Sequence, residues 1–346
     1  MQIDSGFIES VFSYAYSSVS NYMNNTAAYA VSLVIAFIVF AILLSLLVVL
    51  FVYLFGWGER KIMARIQSRH GPTYVGKFGI LQNMADVVKL LSKEHIIPDQ
   101  SDKPLFQMVL PIIYALFMMI LAFIPFTGGF VGIGSTISLL VIFALLSFSP
   151  LLLFLAGWTS GNKFGSISAQ RSVMVMVSYE IPMLLVVVAV AMLAHSFSLI
   201  NIVNAQGTLW FAILMPIGFI VFFITMLAEL ERPPFDVREA DNELIAGWLT
   251  DVSAPYYSLA LFLDYTRMFV GTLLISILFL GGWSGPSFLP AFAWIFIKVI
   301  ALSVFIIIIR ATTVRMKIDR ILRTGWTYMI ALSVLNLIAT FLIFAK

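Results

Sequence analysis

Residues 229–251 read ELERPPFDVREADNELIAGWLTD and form a polar island between two long apolar stretches. This acidic loop holds seven of the chain's 17 carboxylates but only two arginines. The flanking stretches are long enough to cross a bilayer, so we expect the acidic loop at or just inside the mouth of a membrane protein. Placing a carboxylate beside lipid costs free energy. The functional question is therefore why so many carboxylates occur in this loop.

The whole chain has the composition of an integral membrane protein. Hydrophobic residues make up 61% of its 346 residues and charged residues 11%, whereas soluble domains have about 45–50% and about 25%. The bias runs through nearly the whole chain, so we expect one all-α membrane domain over residues 1–346. The chain has no cysteine and only three scattered histidines, which excludes iron–sulfur ligation and disfavours a metal site. Redox cofactors must then belong to partner subunits, and we expect no nucleic acid among its partners.

The apolar stretches predict about eight transmembrane helices, since roughly 20 apolar residues suffice to cross a bilayer. With eight crossings, the loops on one side hold 17 Lys and Arg residues and the opposite side holds one. Positive charge favours the cytoplasmic side, so we predict a multi-pass protein of the cell membrane with both termini outside. No internal repeat is evident, which disfavours a transporter built from inverted repeats. One span lies within residues 27–57, two each within 104–162, 171–229 and 251–310, and one within 324–345.

The basic loop, residues 59–103, follows the first span and contains eight basic and five acidic residues. Apolar residues recur at helical spacing in residues 80–91 and leave Asp86, Lys89 and Lys93 largely off their face. This pattern predicts an amphipathic helix along the cytoplasmic membrane surface. The basic residues beside the span have two possible roles. Either they bind anionic lipid headgroups, or they dock a soluble partner and line the entrance for a lipophilic substrate.

Glu180 is the only charged residue in the otherwise apolar residues 173–194. A carboxylate at the centre of a span costs roughly 2.5–3.5 kcal/mol on insertion scales, so Glu180 must face protein or water. Pro182 lacks an N–H group and loosens the helix close by, which gives room for water. One hypothesis makes Glu180 a proton relay. The other makes it a protonated glutamate that bonds to a neighbouring helix.

Two acids of the acidic loop, Glu239 and Glu243, are four residues apart and would share one helical face. Neighbouring carboxylates exchange protons as a coupled group and respond to a charged ligand nearby. The alternative is a solvated acidic loop in which Arg232 and Arg238 serve as counter-ions. Two consecutive prolines precede a helix that we expect to begin near Asp236.

Three further charged residues lie within apolar spans. Asp264 and Arg267 are three residues apart, so they either neutralise each other as a structural pair or take part in function. Lys298 lies near the start of a long apolar run, where it either snorkels to the surface or meets a buried carboxylate. We expect the carboxylate, because Lys298 lies deep in the run.

Several motifs, in matching order over about residues 59–267, resemble the H-subunit family of respiratory complex I, which includes mitochondrial NADH dehydrogenase subunit 1. The first 28 residues and the last third of the chain match this family only in topology. The matching segments are ERKIMARIQ at 59–67, GP at 71–72, VG at 75–76, FGILQNMAD at 78–86, KLLSKE at 89–94, GWTSGNK at 157–163, SYE at 178–180, and residues 228–244.

The resemblance implies eight helices at the heel of an L-shaped complex, beneath a peripheral arm that carries iron–sulfur clusters. It also implies a membrane-embedded tunnel for a lipophilic quinone or methanophenazine, with no cofactor bound by this chain. The implied partners are other membrane subunits, the peripheral-arm iron–sulfur and quinone-site subunits, and membrane lipids. The residues implied at the tunnel are Glu59, Arg60, Arg65, Asp86, Lys89, Arg232 and Asp236. Those implied in an acidic proton path are Glu180, Glu229, Glu239, Asp241, Glu243 and Asp264.

The chain also departs from the family pattern. Where the family has Ala-Glu-Thr-Asn-Arg, this chain has AELER, which places Glu231 at the asparagine position. Pro234 is a second proline, and Asp241 and Asp264 stand where glutamate is common. These departures resemble archaeal deazaflavin-linked dehydrogenases that reduce a phenazine. Two rival hypotheses remain: the membrane anchor of a membrane-bound hydrogenase, which couples ion transfer without a quinone, and a stand-alone ion transporter.

Overall fold

The computed structural model describes residues 7–20, 25–207, 209–238, 241–286 and 288–344, in which every regular element is a helix. This confirms the predicted all-α membrane protein. The α-helices are α1 (Phe7–Val19), α2 (Asn25–Ile66), α3 (Gln82–Leu91), α4 (Lys103–Phe123), α5 (Ser138–Leu146), α6 (Ser149–Trp158), α7 (Lys163–Ala194), α8 (Leu199–Ala205), α9 (Phe211–Leu214), α10 (Pro216–Glu229), α11 (Asp241–Leu244), α12 (Ala254–Phe279), α13 (Ala291–Thr312), α14 (Ile318–Arg323) and α15 (Ile330–Phe344).

Seven helical segments in the described residues are long and apolar enough to cross a membrane. Five of them lie in single helices, α2, α4, α7, α12 and α13. The other two combine α5 with α6 and α14 with α15. A helix pairs its own backbone N–H and C=O groups, which is what a hydrocarbon environment requires of a spanning segment.

The apolar segment expected to form the fifth span is broken. α9 ends at Leu214 and α10 begins at Pro216, with Met215 in a non-helical conformation between them. Proline cannot donate a hydrogen bond to the preceding turn but fits the first turn of a helix, so the break falls there. α10 itself has only 14 residues. The described residues therefore contain seven long spans and one broken apolar segment.

α12 forms the centre of the bundle. Its apolar stretch is 78% buried within the protein, more than that of any other of the seven spans. It packs against α2, α4, α10 and α13, and it also contacts α3. Asp264, Tyr265 and Arg267 lie at the middle of this helix, and no charged residue follows Arg267 in it. The charged groups of the central helix thus lie near its middle.

The first span continues beyond its apolar stretch. α2 is a single helix of 42 residues that runs through Glu59 and Arg60 to Ile66, so the start of the basic loop is helical. The loop then turns, and α3 lies against α2 and α12. α3 is the helix that the apolar spacing of residues 80–91 predicts, and none of its residues is fully buried.

The acidic loop does not form the helix expected to begin near Asp236. Among the described residues after Glu229, only the four of α11 are α-helical in this loop, and residues 230–238 follow turns. Long-range contacts hold this backbone: the N–H group of Met316 donates to the carbonyl of Pro234 over 3.1 Å. Ser168 Oγ donates to the carbonyl of Arg238 over 2.8 Å. Because these contacts come from outside the loop, local sequence signals do not predict its conformation.

Candidate functional site

A polar cavity of about 670 Å³ lies between α2, the acidic loop, α12 and α13. Nine of the described residues that line it carry a carboxylate or a guanidinium group. They are Glu59, Arg60, Arg69, Glu231, Arg232, Asp236, Arg238, Asp264 and Arg310. Five of these nine belong to the tunnel or proton path that the family resemblance implies. The fold therefore brings together charged groups that are far apart in the sequence.

Glu59 is the point where several elements meet. Its side chain is almost fully buried, and its Oε1 accepts hydrogen bonds from Arg232 Nη1 over 2.9 Å and from Arg310 Nη1. The hydroxyl group of Tyr265 faces the same carboxylate, and the Arg232 guanidinium lies 5.5 Å from the centre of the Tyr265 ring. A buried carboxylate remains ionised only when it is well paired. Glu59 thus ties α2 to the acidic loop, α12 and α13.

Arg315, in the connection between α13 and α14, binds Asp236. Arg315 Nη2 lies 3.1 Å from Asp236 Oδ2. Neither Arg310 nor Arg315 was among the sequence-predicted site residues, because the basic residues of 310–323 served only to orient the chain. The sequence signal that could reveal them is the excess of positive charge in residues 310–323, which is opposite in sign to the excess charge of the acidic loop. The partners in the pairs Glu59–Arg310 and Asp236–Arg315 are 251 and 79 residues apart, so the sequence alone does not predict these pairs.

A second cavity of about 510 Å³ lies between α2, α3 and α12 and is mostly apolar. Among the described residues, Arg60, Leu261 and Tyr265 line both this cavity and the polar one. The two cavities are therefore adjacent, with Arg60 and Tyr265 between them. The remaining apolar lining of the second cavity includes Leu46, Val49, Leu50, Val52, Met84, Val87, Leu90 and Phe262.

Arg60 is held at this junction by Asp86. Arg60 Nη1 lies 2.5 Å from Asp86 Oδ2, and Lys89 Nζ lies 4.0 Å from Oδ1. Gln82 Nε2 donates to Oδ1 over 3.0 Å. Partial burial raises the pKa of Asp86, but Arg60, Gln82 and Lys89 together hold this pKa below its ordinary value. Arg65, in contrast, is exposed and lines neither cavity, so six of the seven tunnel candidates lie in or beside the cavities.

A buried cluster of arginines and acids adjoins the polar cavity. Glu231 Oε2 accepts hydrogen bonds from Arg238 Nη1 and Arg267 Nη1, both over 2.9 Å. Arg238 Nη2 lies 3.2 and 3.3 Å from the two carboxylate oxygens of Asp264. Arg267 Nη2 donates to the backbone carbonyl of Glu229 over 2.5 Å. Asp264 and Arg267 thus bond to different partners rather than to each other.

Glu231 is a site residue that the sequence-based interpretation missed. Two signals could have found it, since it stands where the family has asparagine and a buried arginine such as Arg267 needs an acid nearby. Its backbone φ is 50°, in the left-handed region that glutamate rarely adopts. Burial raises the pKa of Glu231, but the charges of Arg238 and Arg267 hold this pKa below its ordinary value. Glu231 is therefore an ionised anchor for both arginines.

Glu229 and Glu180 extend the acidic groups further along the spans. Glu229 is 6% exposed, and its Oε1 accepts no hydrogen bond from the described residues. The charges of Arg267, Glu231 and Glu180 all act on Glu229, so these groups lie near one another. Glu180 is half-buried and accepts a hydrogen bond from Ser147 Oγ. This contact agrees with a bond to a neighbouring segment, while the proton-relay role of Glu180 stays a prediction.

Residues 35–341 match the family model described as NADH dehydrogenase. The chain belongs to this family. Among its relatives, the H subunit of NADH-quinone oxidoreductase from Dehalococcoides mccartyi (strain CBDB1) is 39% identical over 287 residues, 83% of this chain and 81% of the relative. The corresponding protein of Carboxydothermus hydrogenoformans is 36% identical over 285 residues, 82% of this chain and 81% of the relative. That of Geobacillus sp. (strain WCH70) is 40% identical over 290 residues, 82% of this chain and 87% of the relative.

Membership of the NADH dehydrogenase family confirms the resemblance drawn from the motifs. It also confirms that the chain is a subunit of an oxidoreductase. The archaeal deazaflavin-linked branch stays a prediction.

In this NADH dehydrogenase family member, the far end of the acidic loop is only partly described. Glu243 is exposed and pairs with Arg171, with 2.6 Å between Oε2 and Nη1. Glu239 and the side chain of Asp241 lie outside the described residues. The predicted coupling of Glu239 with Glu243 therefore stays a prediction. The two arginines of the loop, in contrast, form ion pairs with acids of the cavity and are not solvated counter-ions.

Lys298 forms no salt bridge with any described carboxylate, contrary to the expectation from its depth. Its Nζ donates to the backbone carbonyls of Leu280, Gly282 and Ser284 over 2.7, 2.8 and 2.7 Å. It also lies 5.1 Å from the ring centre of Trp210. The expectation was wrong because the turn after α12 directs three carbonyl groups at one point, and an ammonium group has three donors to match them. Lys298 fastens this turn to α13.

Proposed function

We propose that this chain is the membrane subunit of a complex I-like, redox-driven proton pump that guides a lipophilic quinone, or methanophenazine, to a partner's iron–sulfur cluster. The observation that carries the proposal is the junction of an apolar and a polar cavity at Arg60 and Tyr265. The relatives, which are named as H subunits of NADH-quinone oxidoreductase, support the same function.

The apolar cavity suits the tail of such a substrate. Its volume falls in the range of roughly 300–1,000 Å³ that is typical of ligand pockets. Leu50, Val87, Leu90 and Phe262 present hydrocarbon surface to it, and burial of apolar surface contributes about 25 cal/mol per Å². A tail that lies between α2 and α3 places its head group towards the polar cavity.

The polar cavity suits the head group and the protons that its reduction requires. Arg60 and Tyr265 offer N–H and O–H donors to the carbonyl oxygens of a quinone at the junction. The chain has no cysteine, so electrons come from iron–sulfur clusters in peripheral-arm partners. Those partners dock on the side of the acidic loop, and further membrane subunits continue the proton path.

The acids of the chain couple reduction to proton movement. A head group that gains electrons changes the charge next to Asp264, and nearby acids respond by binding or releasing protons. Glu180 and Glu229, which lie close enough for their charges to interact, carry the response along the spans. The proposed path comprises Glu180, Glu229, Asp264 and, in the acidic loop, Glu239, Asp241 and Glu243.

Val87 and Val88 form a matched pair for testing the tunnel. Val87 lines the apolar cavity, whereas Val88 is 60% exposed and does not. In the complete complex, Val87→Trp is expected to raise the KM for a long-tailed quinone by roughly tenfold, because overfilling a packed site costs about 1–3 kcal/mol. A short-tailed quinone needs less of the cavity, so its KM should rise less. Val88→Trp should leave both KM values unchanged.

Steady-state reduction of the two quinones by complex purified from native membranes provides these values. If Val87→Trp has parental KM values for both quinones, the cavity does not hold the tail. That result favours the hydrogenase anchor, which couples ions without a quinone. Ion transport by the chain without iron–sulfur partners would point instead to a stand-alone transporter.

A further inference from the structure

Arg267 is a buried cation whose charge acts on Glu229 without binding its carboxyl group. Its side chain is only 1% exposed. One end of its guanidinium donates to the Glu231 carboxylate over 2.9 Å, and the other donates to the backbone carbonyl of Glu229 over 2.5 Å. Among the described residues, no hydrogen bond joins Arg267 to the Glu229 carboxyl group. Glu231 therefore balances the positive charge of Arg267, which would otherwise attract the Glu229 carboxylate.

The groups around Glu229 come from three elements. Arg267 lies on α12, Glu180 on α7 and Glu231 on the acidic loop, and their charges all act on Glu229. With Arg267 engaged by Glu231, neither oxygen of Glu229 is held by a guanidinium in the described residues. A carboxyl group in this position can gain or release a proton without breaking an ion pair.

We propose that Glu231 is a positioning residue for proton transfer at Glu229, because it engages Arg267 and keeps that arginine from locking Glu229 into an ion pair. The inference rests on the proposed role of Glu229 in the proton path. Without the charge of Glu231, Arg267 would be a buried cation with no hydrogen-bonded counter-ion among the described residues, which is strongly unfavourable. The Glu229 carboxyl group belongs to the residue that Arg267 already touches, so it becomes the replacement partner.

Asp264 is poorly placed to take over this task, although the charge of Arg267 also acts on it. Its carboxylate is bound by Arg238 Nη2, and no hydrogen bond joins it to Arg267 in the described residues. An asparagine at position 231, as in the family pattern, could accept a hydrogen bond from Arg267 but could not balance its charge. The acid at Glu231 and the arginine at Arg267 thus function as a pair.

Redox-induced infrared difference spectroscopy of the complete complex tests the inference. The carbonyl stretch of protonated Glu229 is assigned as the band that disappears in Glu229→Gln. Glu231→Gln is expected to reduce this band roughly tenfold or more, because a guanidinium at close range favours the ionised carboxylate by at least that factor. Removing both charges in Glu231→Gln/Arg267→Gln should restore the band. Arg267→Gln alone should keep it.

A band of parental size in Glu231→Gln overturns the inference, whatever the activity of the variant. So does a parental complex with no Glu229 band, or an Arg267→Gln complex that loses it. Should Glu231→Gln not assemble, Glu231→Asn removes the same charge, and Arg267→Gln still provides an independent test. Proton pumping is measured separately in reconstituted vesicles. If the variants change the band as expected but the parental complex pumps no protons, the proposed pump is refuted. The role of Glu231 then remains supported.

Discussion

Glu180 and Glu59 both lie among the helices, but different kinds of group bind their carboxyl oxygens. Glu59 accepts hydrogen bonds from two guanidinium groups. Glu180 accepts a hydrogen bond from the hydroxyl group of Ser147, and no described arginine or lysine forms a salt bridge with it. A guanidinium partner favours the ionised carboxylate, whereas a hydroxyl group can bond to either protonation state. Glu59 is thus suited to anchoring, and the hydroxyl partner of Glu180 is compatible with its proposed role in the proton path.

Glu180→Gln is therefore expected to lower proton pumping roughly tenfold or more, since removing a proton-transfer group has effects of at least that size. The complex should still assemble, because glutamine keeps the shape of the side chain and can accept the hydrogen bond from Ser147. Proton uptake by reconstituted vesicles and native gel electrophoresis measure the two properties. Glu9→Gln, at an exposed acid on α1, is the control. If pumping and electron transfer both stay at the parental level, Glu180 is merely structural.

The unusual charged residues could be recognised from the sequence, but their partners could not. Glu180 stands out because it interrupts an apolar stretch, a property of its immediate neighbours. The partners of Glu59 and Asp236 lie 251 and 79 residues further along the chain. The pairing of Lys298 with carbonyl groups depends on how one turn folds. Such pairings follow from tertiary packing, so no local pattern predicts them.

α3 owes part of its position on α2 to the ion pair between Arg60 and Asp86. Because the pKa of Asp86 is lowered in the folded protein, the ion pair stabilises this contact at any pH above the ordinary value of about 3.9. The stabilisation is lost only when the pH falls through the lowered pKa. The contact should therefore not change with pH in the neutral range.

Asp86→Asn is expected to loosen α3 at neutral pH. A partly exposed ion pair contributes about 0.2–1 kcal/mol, so amide hydrogen exchange in α3 should rise by up to about fivefold. After correction for intrinsic rates, the difference from the parental protein should be constant between about pH 5 and 7. Asp99→Asn, at a fully exposed carboxylate, serves as the control. Unchanged exchange in Asp86→Asn would show that apolar packing alone holds α3.

The long helices could be predicted because the length of an apolar stretch is set by the thickness of the bilayer. The same reasoning fails at breaks and short helices. α9 and α10 are separated at Pro216 within a stretch that remains apolar throughout. The helix expected from Asp236 is replaced by turns that contacts with residues 168 and 316 hold in place. Hydrophobicity predicts which segments cross the membrane more reliably than where each helix begins.

The sidedness of the whole chain depends on whether the broken segment, residues 211–229, crosses the membrane. Nineteen helical residues would extend about 28 Å, close to the hydrocarbon thickness of about 30 Å. If the segment did not cross, the two basic residues of 229–251 and the five of 310–323 would move to the outer side. Cytoplasmic loops attract positive charge, so such an arrangement is unfavourable. We therefore expect the segment to cross, which places both ends of the chain outside.

Single-cysteine variants can test this arrangement cleanly, because the chain has no cysteine of its own. Asn204 and Ile245 are exposed residues on either side of the broken segment. With a membrane-impermeant maleimide, Asn204→Cys should be labelled in intact cells, whereas Ile245→Cys should be labelled only after permeabilisation. Thr313→Cys, exposed in the last basic segment, should behave like Ile245→Cys. If all three were labelled in intact cells, residues 211–229 would not cross, and the two ends of the chain would lie on opposite sides.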